Sequence, residues 1–254
     1  MDYMHRLQTT IDGVTISYVE HGQGPTILFL HGGGTEASTN ARLILDLGQQ
    51  YRVIAPDIPF FGKSGILKSI KRFEDYSDLF GSFLDKLGVT DVVVIGYSFG
   101  GGIAARMHTN PNIKNILLFS PAIMNLHINV QKLTKLILKE FYSSLMTVSS
   151  IDEFTQLMLI VYDFLKNVIM CKEKNKLVEF VMRNLNQDFS TKGIQKITTV
   201  LSKDDPIFFL GQYKDLIDMH TVKQFDGAHL RFMLKKDTAK TIQNLISTVS
   251  GSAQ

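Results

Sequence analysis

Gly96-Tyr97-Ser98-Phe99-Gly100 stands directly behind the apolar run Val92-Val93-Val94-Ile95. A continuous β-branched run of this kind reads as a strand buried on both faces. The residues that follow, Gly101-Gly102-Ile103-Ala104-Ala105-Arg106-Met107, are small and then helical. The chain must therefore leave a buried strand, turn sharply and enter a helix. Glycine is needed at 96 and 100 because a Cβ at either would collide with a neighbouring strand or helix. The residue at the apex, Ser98, is then held in a strained backbone conformation with its hydroxyl lifted above the sheet.

The rest of the chain supplies such a sheet. Residues 15–19 alternate like a half-buried strand between turns at Gly13 and Gly22. Residues 26–30, Thr-Ile-Leu-Phe-Leu, read as a central parallel strand, and 51–55 and 115–119 as further strands. Helical spacing appears at 41–47 and again at 76–87, where Gly88 is placed to end the helix. Strand alternation disappears over residues 121–190. Leu133, Leu136, Ile137, Phe141 and Leu145 form one stripe, 151–170 is apolar on more than one face, and 177–185 is a third helix. Strand signals resume at 197–201 and at 220–225, and a last helix is expected over 232–249. The pattern predicts an α/β fold. A mostly parallel central sheet built from 1–120 and 191–254 is flanked by helices, and an all-helical cap, 121–190, is inserted before the next strand.

A serine hydroxyl is a poor nucleophile at neutral pH and needs a base to take its proton. His5, His21, His108, His127 and His220 lie in segments with no chemical context. His229 lies in the loop Asp226-Gly227-Ala228-His229, between an expected strand and the last helix. A loop at the C-terminal end of a parallel strand faces the crevice where such sheets bind ligands, so His229 is the candidate base. The imidazole then needs an acid. Ser202-Lys203-Asp204-Asp205-Pro206 follows the strand at 197–201, and Pro206 holds Asp205 extended, so Asp205 is preferred over a solvated or helix-capping Asp204. For the oxyanion, Phe99 supplies one N–H behind Ser98. The glycines of His31-Gly32-Gly33-Gly34 allow a second close approach of the main chain, with Gly33 preferred and Gly34 as the alternative. His31 itself is expected to hold that loop by hydrogen bonds.

Other classes fall away on the same reading. The net charge is only +3 and Lys and Arg alternate with Asp and Glu, so a nucleic-acid partner is not expected. Cys171 stands alone and cannot form an internal disulfide, which fits a reducing compartment. Residues 1–7 contain no apolar core of a signal peptide, and the longest apolar run, 157–161, is far too short to span a membrane. A cytoplasmic location is the expectation, with a small-molecule substrate as partner. Oligomeric state is not readable. Gly62-Lys63-Ser64 superficially suggests a phosphate loop, but Asp57 stands where the upstream glycine is required. No cluster with metal-ligand spacing appears, and neither a metal nor a cofactor is implied.

Taken together, the His31–Gly34 loop, the Gly96–Gly100 turn, the Asp205-Pro206 turn and the Gly227-Ala228-His229 loop resemble the α/β-hydrolase family with a helical cap, over nearly the whole chain. The order Ser98, Asp205, His229 is that family's order. The resemblance implies hydrolysis of an ester, amide, thioester or carbon–carbon bond through an acyl-serine, a carboxylesterase being the first expectation. A carbon–carbon hydrolase, an aminopeptidase-like amidase and a ligand-binding receptor with little turnover are the alternatives. Members that cleave epoxides or carbon–halogen bonds use aspartate at the apex, and Ser98 argues against both. In Pro56-Asp57-Ile58-Pro59-Phe60-Phe61-Gly62, Phe60 departs from the family by standing where a glycine is usual. Met158, Met170 and Met182 would give a deformable pocket lining if they face inward, and Arg183 is a candidate for a substrate carboxylate.

Overall fold

The computed structural model describes residues 4–66, 72–208, 210–218 and 222–251. Its frame is a sheet of eight strands: β1 (His5–Ile11), β2 (Val14–His21), β3 (Thr26–Leu30), β4 (Arg52–Pro56), β5 (Val92–Tyr97), β6 (Ile113–Phe119), β7 (Ile197–Ser202) and β8 (Lys223–Phe225). The order across the sheet is β1-β2-β4-β3-β5-β6-β7-β8. Neighbours from β4 to β8 are parallel, and only β1/β2 and β2/β4 are antiparallel. The strand expected at 220–225 is seen over Lys223–Phe225, and His220 lies outside the described residues.

Strand periodicity explains the two-sided core. Leu28, Leu30 and Val94 point to one face, where α2 (Phe73–Leu87) and α3 (Phe99–Arg106) pack. Ile27, Phe29, Val93 and Ile95 point to the other, where α1 (Ala41–Leu47) and α8 (Thr238–Gly251) pack. Gly88 ends α2 in the left-handed conformation, φ 63°, with its N–H bonded back to Leu84 and Asp85.

Two departures from the sequence pattern have local causes. β1 was not expected because its residues are mostly exposed and carry no apolar alternation. Its signal is the turn instead: Asp12-Gly13, at φ 47° and 79°, is a dipeptide suited to a tight hairpin. The single helix expected at 232–249 is split into α7 (Arg231–Leu234) and α8. The Arg42 guanidinium donates to the carbonyls of Met233, Leu234 (2.6 Å) and Lys235, and the Thr238 hydroxyl donates to Lys235 O at 3.0 Å. These donors satisfy carbonyls at the end of α7, where Lys235 turns extended at φ −69°, ψ 139°.

Between β6 and β7 the chain forms α4 (Val130–Thr147), α5 (Ile151–Phe164) and α6 (Lys174–Leu185), with a π-helical turn at Leu165–Ile169 extending α5. Asn129 and Ser150 cap the first two helices by accepting from Lys132 N and Glu153 N. The stretch leaves and returns at one point, where Asn125 bridges Asn186 and Leu126 N donates to Leu185 O at 2.9 Å. Polar contacts tie α5 to the segment after β3. Thr39 Oγ1 donates to Asp163 Oδ2 at 2.6 Å, Gln156 Nε2 to Thr39 O at 2.7 Å, and Lys166 Nζ to Glu36 Oε2 at 2.7 Å. No single described helix is long and apolar enough to cross a membrane.

Candidate active site

Ser98 occupies the turn between β5 and α3 at φ 52°, ψ −115°, a conformation that L-residues avoid. The surroundings hold it there. Its N–H donates to Phe119 O at 2.9 Å, and its carbonyl accepts from Gly102 N and Ala122 N. A Cβ on Gly96 would sit 2.5 Å from Ala104 Cβ, and one on Gly100 would sit 2.3 Å from Leu30 O, so helix and strand close on the turn from both sides. The strain is thus imposed by tight packing rather than by any single bond.

His229 and Asp205 are brought together by the ends of β8 and β7. His229 Nδ1 lies 2.6 Å from Asp205 Oδ2, both side chains buried. Asp205 Oδ1 accepts from Ile207 N and Phe208 N, each at 2.8 Å, so both oxygens are occupied. Asp204, one residue earlier, is exposed. Burial works to raise the Asp205 pKa, but His229 and the two backbone N–H groups outweigh it and hold the carboxyl below its usual range. Burial works to lower the pKa of His229, and the Asp205 carboxylate, assisted by Glu140, outweighs it and raises the imidazole above 6.5. The proton on Nδ1 is committed to Asp205, which leaves Nε2 to accept.

Two further residues hold this histidine, and sequence reasoning missed both. Glu140, on α4, is only 2% exposed. Its Oε2 accepts from His229 N at 3.1 Å, and its Oε1 accepts from Leu230 N at 2.7 Å and from the Ser144 hydroxyl at 2.8 Å. A carboxylate from α4 therefore holds the loop that carries His229. Its only sequence signal is a lone carboxylate among the lysines of an amphipathic helix. Tyr97, inside the turn motif itself, stacks on the His229 ring at 5.1 Å and donates its hydroxyl to His229 O at 3.0 Å.

The glycine loop after β3 lies against the start of α3. A Cβ on Gly33 would be 3.4 Å from Phe99 Cβ, so the two backbones adjoin. Among the described residues, neither the Gly33 nor the Phe99 amide donates to a protein acceptor. Gly34, at φ 81°, has no room for a side chain, because a Cβ would meet Phe164 at 2.4 Å. His31 braces this loop. Its Nε2 accepts from Ile58 N at 2.9 Å, and Nδ1 therefore donates to Gly32 O at 2.8 Å. Complete burial lowers its pKa, which keeps the ring neutral in this role. Asn167, in the π-helical turn, adds a second brace: its Nδ2 donates to Gly34 O at 3.2 Å and its Oδ1 accepts from Gly62 N at 3.3 Å.

Asp57 also has a structural role. It accepts from Arg6 Nη1 (2.6 Å), Ala37 N (2.8 Å) and Lys63 N (2.9 Å), joining β1 to both loops. Phe60 follows at φ 81°, which is why a glycine suits the position. Its ring stacks on Phe180 of α6 with centroids 5.6 Å apart, and it does not reach the cavity.

That cavity, of about 600 Å³, opens above the turn and receives Ser98, His229, Gly33 and Phe99. Its walls come mainly from α4, α5 and α6, through residues such as Ile137, Phe141, Phe164, Val168 and Val181. Of the three methionines expected as lining, only Met182 faces it, and Met158 and Met170 are exposed instead. Arg183 is turned away and bonds Glu179 Oε1 at 2.6 Å. Glu140 is the only ionisable side chain besides His229 and Tyr97 along the described wall, and no Lys or Arg contributes.

Comparison with known proteins agrees with this architecture. A family model described as "alpha/beta hydrolase fold" matches residues 25–145, from β3 through the turn to α4. A haloalkane dehalogenase from Mesorhizobium japonicum is 38% identical over 103 residues, which is 40% of this chain and 33% of that protein. The chain spans about a third of the length of the curated relatives it matches. Among solved structures, a serine hydrolase involved in carbazole degradation superposes with TM-score 0.73 at 18% identity, covering 97% of this chain and 100% of that one. An N-acyl homoserine lactone degrading enzyme gives TM-score 0.75 at 16% identity, covering 94% and 99%. At such identities the likeness speaks for the fold alone.

Proposed function

From the α/β-hydrolase fold and the geometry of the site, we propose that this chain is a serine hydrolase that cleaves a small, apolar carboxylic ester through an acyl-enzyme on Ser98. Ser98 Oγ attacks the ester carbonyl while His229 Nε2 takes its proton. Asp205 keeps the imidazole in the accepting tautomer and stabilises the imidazolium. The N–H groups of Gly33 and Phe99 bind the oxyanion. The C–O bond then breaks, the alcohol leaves with the proton from His229, and water, activated by the same histidine, releases the acid.

The observation that carries this reading is the shared cavity. A strained Ser98 and a His229 bonded to a buried Asp205 at 2.6 Å face one apolar space, beside the adjoining residues Gly33 and Phe99. The likeness to a haloalkane dehalogenase does not bring that reaction here, because the apex residue is serine. Carbon–carbon hydrolysis of an acidic substrate lacks support, since no cationic side chain lines the described wall. The test is intact-mass analysis after a fluorophosphonate. One adduct on the wild type and none on Ser98→Ala is the expected result, and a folded wild type that stays unlabelled refutes the proposal.

A further inference from the structure

The helices that wall the cavity also expose an unusual amount of apolar surface. On α4, Leu138, Tyr142 and Met146 recur every fourth residue and are 62%, 66% and 62% exposed. On α5 and its π-helical extension, Ile151, Tyr162 and Ile169 are 84%, 62% and 52% exposed. Side chains at this spacing form a stripe along a helix. The two helices pack together through Phe141 and Phe164, with centroids 5.6 Å apart. Scattered exposed apolar residues need no explanation, but two such stripes on adjoining helices exceed what a free surface normally carries.

Two observations identify the occupant. First, Leu138, Leu165, Ile169 and Val178 are exposed and also line the cavity, so the apolar surface runs without interruption into it. Second, Lys132, Lys135 and Lys139 are exposed along α4 beside the stripe, while the only carboxylate on that helix, Glu140, is buried and turned to the His229 loop. A second copy packed face to face through α4 would bring these lysines together with no exposed acid on that helix to answer them, and it would cover the cavity margin. An apolar layer with anionic headgroups satisfies both features. Aromatic and aliphatic side chains enter the layer, and lysines reach up to the phosphates.

We propose that the exposed face of α4 and α5 docks on an anionic lipid surface and places the cavity mouth against it. Docking stands on this face alone. That the cavity draws an apolar ester from the layer rests on the function proposed above.

The experiment is co-sedimentation of the full chain with vesicles of phosphatidylcholine, with and without phosphatidylglycerol. It is run beside size-exclusion chromatography with light scattering and hydrolysis of a soluble short-chain ester. The variant combines Tyr142→Ser, Met146→Ser, Ile151→Ser and Tyr162→Ser, none of which lines the cavity. The expected result is binding to the anionic vesicles that falls about tenfold or more in the variant, with hydrolysis of the soluble ester unchanged. A charge variant, Lys132→Gln with Lys135→Gln and Lys139→Gln, should lose most of the preference for phosphatidylglycerol. Absence of wild-type binding, or equal binding by wild type and the apolar variant, overturns the proposal. A wild-type dimer that the apolar variant converts to monomer, without vesicle binding, assigns the face to a second copy and overturns it too. Vesicle binding with no hydrolysis of any ester removes the proposed function and leaves the docking surface standing.

Discussion

At Asp205 and Asp204 adjacent carboxylates have opposite fates. The first is buried with both oxygens bonded, and the second is solvated. Asp205→Asn should therefore lower kcat/KM by orders of magnitude while Asp204→Asn leaves it near wild type, as steady-state kinetics will show. Ser98→Ala should likewise lower turnover by several orders of magnitude without unfolding the chain. Glu140 makes a finer prediction. Its charge helps to raise the His229 pKa, and the base must be neutral to accept a proton. On the proposed mechanism, activity should therefore fall on the acid side at a pH above the ordinary 6.5. Glu140→Gln removes the charge and should move that limb to lower pH in a kcat/KM profile, with a smaller plateau from the looser loop. An unmoved limb would make Glu140 a structural contact only. Phe60 reverses a familiar expectation. At φ 81°, Phe60→Ala keeps the strain and loses the stacking on Phe180, whereas Phe60→Gly loses the stacking but relieves the strain. The glycine variant should be the more stable by about 1 kcal/mol in urea titration.

Among elements, what could be read in advance follows from how far each signal travels along the chain. β3 and α1 have the bounds that periodicity gives, because two-sided burial and helical spacing are written into consecutive residues. The turn at Ser98 is as legible, since collisions at Gly96 and Gly100 are local. β1 was hidden by its exposed edge position, and the split between α7 and α8 by a guanidinium from α1, remote in sequence. The braces of the site were hidden for the same reason. Asn167 reaches Gly34 and Gly62 across more than a hundred residues. Asn167→Ala should free the glycine loop, lowering kcat about tenfold or more with little change in KM for a short soluble ester. Comparable losses in both parameters would place the defect in substrate binding instead.

For the molecule as a whole, the two halves of the site come from different parts of the architecture. The sheet supplies Ser98, Asp205 and His229, while α4, α5 and α6 supply most of the wall and two of the braces. The wall's chemistry was only partly legible, because an amphipathic stripe tells which residues are apolar but not which side of a helix meets a cavity. Met158 faces outward from α5, whereas Met182 of α6 faces the cavity. The stretch that carries α4, α5 and α6 begins and ends at one place, the Asn125–Asn186 bridge. A segment anchored in that way is exchangeable in principle: a different set of helices can be grafted across the same two positions without lengthening or shifting a strand. The graft must replace Asn167, which holds Gly34 and Gly62. It must also bring an acceptor for the His229 and Leu230 amides where Glu140 now stands, or the new roof leaves the base beneath it unheld.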